Sequence, residues 1–64
     1  MIITLAAKHD PGEIVGWFDG SASRFTTDKT RAISFDDVGA ACSIVERLRL
    51  QLPRVANCIT VKSL

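Results

Sequence analysis

The sequence has no tyrosine, a single tryptophan, two prolines and only two cysteines. Cys42 and Cys58 have no second pair beside them, which excludes a four-cysteine zinc site and a disulfide framework and leaves two buried free thiols as the expectation. No apolar run approaches the roughly 18 residues of a membrane span. The opening stretch Met1–Ala7 lacks the basic region that starts a signal peptide, and Lys8-His9-Asp10-Pro11 follows too soon for its apolar segment, so a cytoplasmic chain is expected. An excess of one charge is missing too. The 8 Lys plus Arg nearly cancel 7 Asp plus Glu, which argues against a strongly basic nucleic-acid coat, while a 47% hydrophobic share argues against a disordered tail. With 64 residues the chain, 1–64, forms one compact domain with a small core and no interdomain cleft. At roughly 0.05 to 0.15 kcal/mol per residue its total stability is about 3 to 10 kcal/mol.

What is present reads as strands, a helix and a last strand. Residues 2–7 are apolar and partly β-branched, and Lys8–Gly12 form the turn that ends them. A second strand over 13–18 runs into Asp19-Gly20, a dipeptide suited to a two-residue type I′ hairpin turn. That turn sets Phe18 opposite Ser21, Trp17 opposite Ala22, Gly16 opposite Ser23, Val15 opposite Arg24 and Ile14 opposite Phe25. One face then carries Ile14, Gly16, Phe18 and Phe25, and the other Val15, Trp17, Ala22, Arg24 and Thr26. After polar Thr26–Thr30 and a short extended Ala32–Phe35, Asp36 is the preferred helix N-cap, with Ser34 and Asp37 as a competing capping box. Val38, Ala41, Cys42, Val45, Leu48 and Leu52, with Ile44 at the edge, form the apolar stripe of a helix of about four turns that Pro53 ends. Val55–Val61 reads as the last strand, with Ile59 and Val61 on one face. The fold class is therefore α+β: a small antiparallel sheet of three to four strands with one amphipathic helix packed on one face, in the order β-β-β-α-β.

Candidate chemistry is sparse. His9 beside Asp10 has the form of a base with an orienting carboxylate, yet the pair sits in a Pro-Gly turn without a nearby nucleophile and reads as solvated. Cys42, paired with His9 or Asp28, is a nucleophile only if exposed, and its place on the apolar stripe puts it in the core. Asp36-Asp37 suit helix capping better than a cation, and no glycine spacing matches a phosphate loop. No catalytic, cofactor-binding or metal-binding residue is assigned, and the chain is not expected to be an enzyme.

The sheet itself carries more information. The first two strands place apolar residues on both faces, Ile2 and Ala6 against Ile3 and Leu5, then Ile14 and Phe18 against Val15 and Trp17. One helix shields one face, so the other is left wet, covered by a loop or buried against another chain. Trp17 is either on that second face, with Arg24 near enough for a cation–π pair, or is the largest core residue with Ile14 and Phe18 turned outward. Charge is asymmetric along the chain: Asp10, Glu13, Asp19, Asp28, Asp36 and Asp37 fall in the first 37 residues, while Arg47, Arg49, Arg54 and Lys62 gather in the last third. The residues expected to meet a partner are Trp17, Arg24 and Val15 on the sheet, Asp19 and Asp28 in acidic turns, and Arg47 and Leu50 on or beside the outer helix face.

Gly16-Trp17-Phe18-Asp19-Gly20, then Phe25-Thr26-Thr27-Asp28, then Ala32-x-x-Phe35 and a helix opening with acidic residues and Ala41 make a pattern across residues 14–61. In this it resembles small β-β-α-β proteins of phages, prophages and other mobile elements. The matching positions are turn, cap and packing residues, and none carries a functional role across. The resemblance implies a non-enzymatic inhibitor that occupies a host protein surface, anti-CRISPR proteins being the best-known class. The expected function is a small protein-binding module that occludes a larger host complex such as a CRISPR effector, or that pairs with a second copy of itself, in the host cytoplasm. A nucleic-acid-binding domain using Arg47, Arg49, Arg54 and Lys62 is the second expectation, and neither a membrane nor a cofactor is expected.

Overall fold

A computed structural model of the chain describes residues 1–20 and 24–63. Strands β1 (Ile2–Ala7), β2 (Asp10–Phe18) and β3 (Phe25–Thr26) come first, then a 3₁₀ turn at Lys29–Arg31. Helix α1 (Val38–Gln51), a second 3₁₀ segment (Pro53–Cys58) and strand β4 (Ile59–Lys62) complete the chain. The strands lie side by side as β3-β2-β1-β4 with every pairing antiparallel. This is the expected α+β class, with the helix between the third and fourth strands.

The first hairpin turns more tightly than the sequence predicts. Ala7 pairs with Asp10, so Lys8-His9 alone make the turn and β2 begins before the proline rather than at Glu13. The ladder then jumps to Ala6 opposite Ile14. Pro11 has no N–H to give a ladder, and the Gly12 N–H donates instead to Asp10 Oδ1 at 2.9 Å, so residues 11–13 bulge out. A second shift follows, because Leu5 pairs with Gly16 while its neighbour Ala6 pairs with Ile14. Strict alternation groups Ile14 with Gly16 and Phe18; the bulge at Val15 moves it to the face of Ala6 and Thr4.

The two-residue Asp19-Gly20 turn is overturned. Phe18 pairs with Phe25 and Trp17 with Thr26, so the connection spans residues 19–24, and neither Val15–Arg24 nor Ile14–Phe25 is a pair. The expected partners Ser21, Ala22 and Ser23 lie outside the described residues. The longer loop brings the two phenyl rings together at 6.2 Å between centroids, tilted by 60°, on the core face, and cross-strand aromatic packing outweighs the tight turn. Glycine serves both features: Gly20 has φ of +91°, and a Cβ on Gly16 would lie 3.0 Å from that of Phe25.

From β3 the chain crosses the ends of β2 and β1. The Ile33 N–H donates to the Phe18 carbonyl at 3.2 Å, and Met1 and Phe35 exchange two bonds, Phe35 N–H to Met1 at 2.7 Å and the Met1 amine to Phe35 at 3.0 Å. The helix N-cap is Asp37, not Asp36: its backbone is extended and its Oδ1 accepts the Gly39 N–H at 2.9 Å. Ala41, Val45 and Leu48 are buried, with Ile44 and Leu52 partly buried. Cys42 is exposed, which corrects its assignment to the core. It lies about 100° round the helix from Ala41, enough to carry it off the buried stripe toward β4. Cys58 is half-buried, and both thiols are free. Residues 53–58 are 3₁₀ rather than strand, since Pro53 starts a new helical turn where the α-helix stops, and β4 begins only at Ile59.

Ile3, Phe18, Val45, Leu48 and Ile59 form the core, with Leu5, Phe25, Ile33, Phe35, Leu52, Val55 and Val61 packed against it. The helix therefore covers the face that carries Ile3, Phe18 and Ile59. Phe18 is a core residue, so Trp17, its neighbour in β2, lies on the opposite face, which decides between the two readings of Trp17.

Candidate interaction surfaces

The helix-free face is smaller and drier than the sequence predicts. Ile2 and Thr4 on it are buried, and Ala6, Ile14, Trp17, Thr26 and Thr60 are all half-buried. Thr4 stands opposite Trp17 on one side and Thr60 on the other, with the two threonine hydroxyls 3.3 Å apart. Val15, at the bulge, is the one large apolar residue of β2 counted as exposed, at 43%. Thr4 thus lies in one cross-strand row between the indole-bearing Trp17 and Thr60.

The other sheet-side candidates do not join Trp17 in one site. Arg24 is exposed just before β3 rather than opposite Val15, and among the described residues the ring pairing is Phe18 with Phe25, not Trp17 with Arg24. Asp19 is half-buried at the end of β2. Asp28 caps the first 3₁₀ turn: its Oδ1 accepts the Thr30 hydroxyl at 2.6 Å and the Thr30 N–H at 3.0 Å. The hydroxyl bond, then the N–H bond, with Arg31 adding to them, hold this carboxyl below its ordinary range. Asp28 is a turn-forming residue.

Arg47 and Leu50, three apart on α1 and both exposed, share a face that points away from the core, on the far side of the molecule from Trp17. Leu50 is 84% exposed. Beside it, where α1 gives way to the 3₁₀ segment, Gln51, Leu52, Pro53, Arg54 and Val55 line an open, mostly apolar groove. This corner was not assembled from the sequence, although the signal lay in Leu50-Gln51-Leu52-Pro53, where an apolar residue off the stripe adjoins the helix end. A second groove runs between α1 and β4, lined by Cys42, Val45, Glu46, Arg49, Thr60 and Val61. Arg49 Nη2 donates to the Ile59 carbonyl at 2.8 Å, which ties the helix to the strand.

The four basic residues of the last third do not gather in one patch: Arg54 lines the groove at the end of α1, and the others lie elsewhere. Arg47 faces outward from the helix, Arg49 is engaged with Ile59, and Lys62 pairs with Ile2 on the helix-free face. His9 contacts Glu13 at 3.4 Å, both exposed at the hairpin tip, while Asp10 is turned to Gly12, so His9 and Asp10 are exposed turn residues, as the sequence reads them. Among the described residues no three His, Cys, Asp or Glu side chains are grouped to hold a metal ion, and no helix is long and apolar enough to cross a membrane. No family model, curated protein or solved structure matches the chain.

Proposed function

We infer that the chain is a small protein-binding module rather than an enzyme, and that it docks through the corner where α1 meets the second 3₁₀ segment. The observation that carries this is the exposed Leu50 beside an open apolar groove at Leu52, Pro53 and Val55. A lone exposed leucine is ordinary, but one next in the chain to the first residue of an apolar groove, with an arginine on either side, has the composition of an interface centre. Arg47 and Arg54 border it, and from residue 38 onward the only acid is Glu46. Charge complementarity then calls for a partner with an apolar side chain for the groove and carboxylates around it. An inhibitor that occludes a surface of a larger host complex is one form of this reading, with the Leu50 corner as its occluding surface.

The test is titration calorimetry against a partner recovered on the immobilised chain and then purified. Leu50→Glu should abolish binding and Arg47→Glu should weaken it by about tenfold, with melting temperatures unchanged because both side chains are exposed. Unchanged affinity in Leu50→Glu would overturn the assignment. So would retention of nucleic acid with a steep log-linear salt dependence, the signature of phosphate neutralisation.

A further inference from the structure

β4 is an outer strand of the sheet, with β1 on one side and, among the described residues, no strand on the other. The opposite edge, β3, is only two residues long. Ile59-Thr60-Val61-Lys62 is largely β-branched, without proline or bulge, and such an edge is a template for another strand. The Ile59 carbonyl accepts from Arg49, so it is directed off the β1 ladder, and the Ile59 N–H is held by the Ala56 carbonyl; Val61, two residues on, directs its N–H and carbonyl to the same outer side and is the residue that offers both groups to another strand. The groove beside this edge has Cys42, Glu46 and Arg49 of α1 along one wall and Thr60 and Val61 of β4 along the other.

One acid and one base thus stand a single helical turn apart on the wall that overlooks the β4 edge. A two-fold axis through Thr60 sets Ile59 of each copy opposite Val61 of the other, and the same rotation brings Glu46 of each copy toward Arg49 of the other. A surface so arranged is complementary to itself, which a heterologous partner does not require. We propose that the chain forms a two-fold dimer through its β4 edges, so that the second copy continues the sheet and fills the α1–β4 groove. On pairing, the Val61 N–H of the second copy takes over the Ile59 carbonyl, and Arg49 exchanges that bond for the carboxylate of Glu46 across the axis. This dimer uses a different surface from the Leu50 corner and stands or falls separately.

Sedimentation equilibrium of the intact chain over a wide concentration range tests it. A reversible monomer–dimer equilibrium is expected. Glu46→Arg and Arg49→Glu should each weaken the dimer by about tenfold or more, through like charges set face to face, and the double exchange should restore most of the affinity. Circular dichroism melts separate loss of pairing from loss of fold. Hydrogen exchange on the unmodified chain gives a second measure, in which the Val61 amide slows as concentration rises through the dimer range, while the Ile59 amide, already bonded to the Ala56 carbonyl, does not. A chain that stays monomeric throughout overturns the proposal and leaves the edge to an extended segment of another protein. A dimer indifferent to both reversals, with Val61 exchange independent of concentration, overturns it as well.

Discussion

Trp17 stands opposite Thr4 in the β1–β2 ladder, on the face of the sheet that α1 leaves uncovered. Thr4 is nevertheless only 1% exposed, and its hydroxyl meets that of Thr60 at 3.3 Å, so a buried polar group is satisfied within the same cross-strand row. A 64-residue chain cannot supply a second covering layer. On the uncovered face its one tryptophan stands in the same row as Thr4 and Thr60, with Ile2 and Thr4 buried.

If the indole shields Thr4, Trp17→Ala should lower stability by about 2 kcal/mol, below the usual range for a fully buried aromatic because Trp17 is half-buried. For a domain this small the melting temperature should fall by roughly 10 °C. Thermal and urea melts followed by circular dichroism measure the change, and Trp17→Phe should recover part of it. An unchanged melt in Trp17→Ala would mean that Thr4 is buried by something other than the indole.

The element order and the alternation within each element were legible because they rest on periodicity, but which face of the sheet is the core was left open between Phe18 and Trp17. Ile3, Leu5, Ile59 and Val61 alternate, and Ala41, Val45 and Leu48 recur at helical spacing, so each residue type repeats the same message. The registers were not legible, because they depend on single competing contacts. Asp19-Gly20 has the chemistry of a tight turn, but the pairing of Phe18 with Phe25 is decided by packing across the core, which sequence separation does not display. The bulge at Val15 and the loss of Cys42 from the stripe are shifts of one position. Each moves a side chain to a different surface while leaving the pattern around it intact. The candidate interface residues were scattered for the same reason: Arg47 and Leu50 share a helix face by periodicity, whereas Trp17 and Arg24 were joined by a register that does not form.

The two adjacent aspartates before α1 should be unequal. Asp37 accepts the Gly39 N–H, one of the donors a helix start leaves unpaired, whereas Asp36 makes no such bond. Asp37→Ala should cost about 1 kcal/mol, and Asp36→Ala only a few tenths through its weaker interaction with the helix dipole. Denaturant melts of the two variants check the order, and a larger loss at position 36 would transfer the cap to that residue.

Asp28 should carry a small acid-dependent contribution to stability. Its carboxyl is held below the ordinary range first by the Thr30 hydroxyl and then by the Thr30 N–H. A carboxyl depressed in the folded state adds stability that is complete above its unfolded pKa and is lost as pH falls through the folded value. Thr30→Val removes the hydroxyl and keeps the N–H, so the Asp28 pKa should move part of the way back up and the acid-side slope of stability should flatten. Carboxyl-carbon NMR titration reads the first effect and melts below neutral pH the second. An Asp28 pKa that does not rise in the variant would show that the hydroxyl bond is not its cause.

The two thiols should differ in rate. Cys42 is exposed at the rim of the α1–β4 groove and Cys58 is half-buried at the end of the 3₁₀ segment, so access alone ranks Cys42 first. An aromatic disulfide reagent in excess should give two phases, with Cys42 in the fast one, and a trace of denaturant should speed the slow phase by opening the segment that holds Cys58. Cys42→Ser should remove the fast phase while changing stability by less than about 0.5 kcal/mol, because an exposed position contributes little packing. Had Cys42 been part of the buried stripe, both thiols would react slowly and the serine would leave a hydroxyl in the core at a cost of about 1 to 3 kcal/mol. Two slow phases together with a destabilised Cys42→Ser would therefore return Cys42 to the core and rotate the helix by about one residue from the orientation described above.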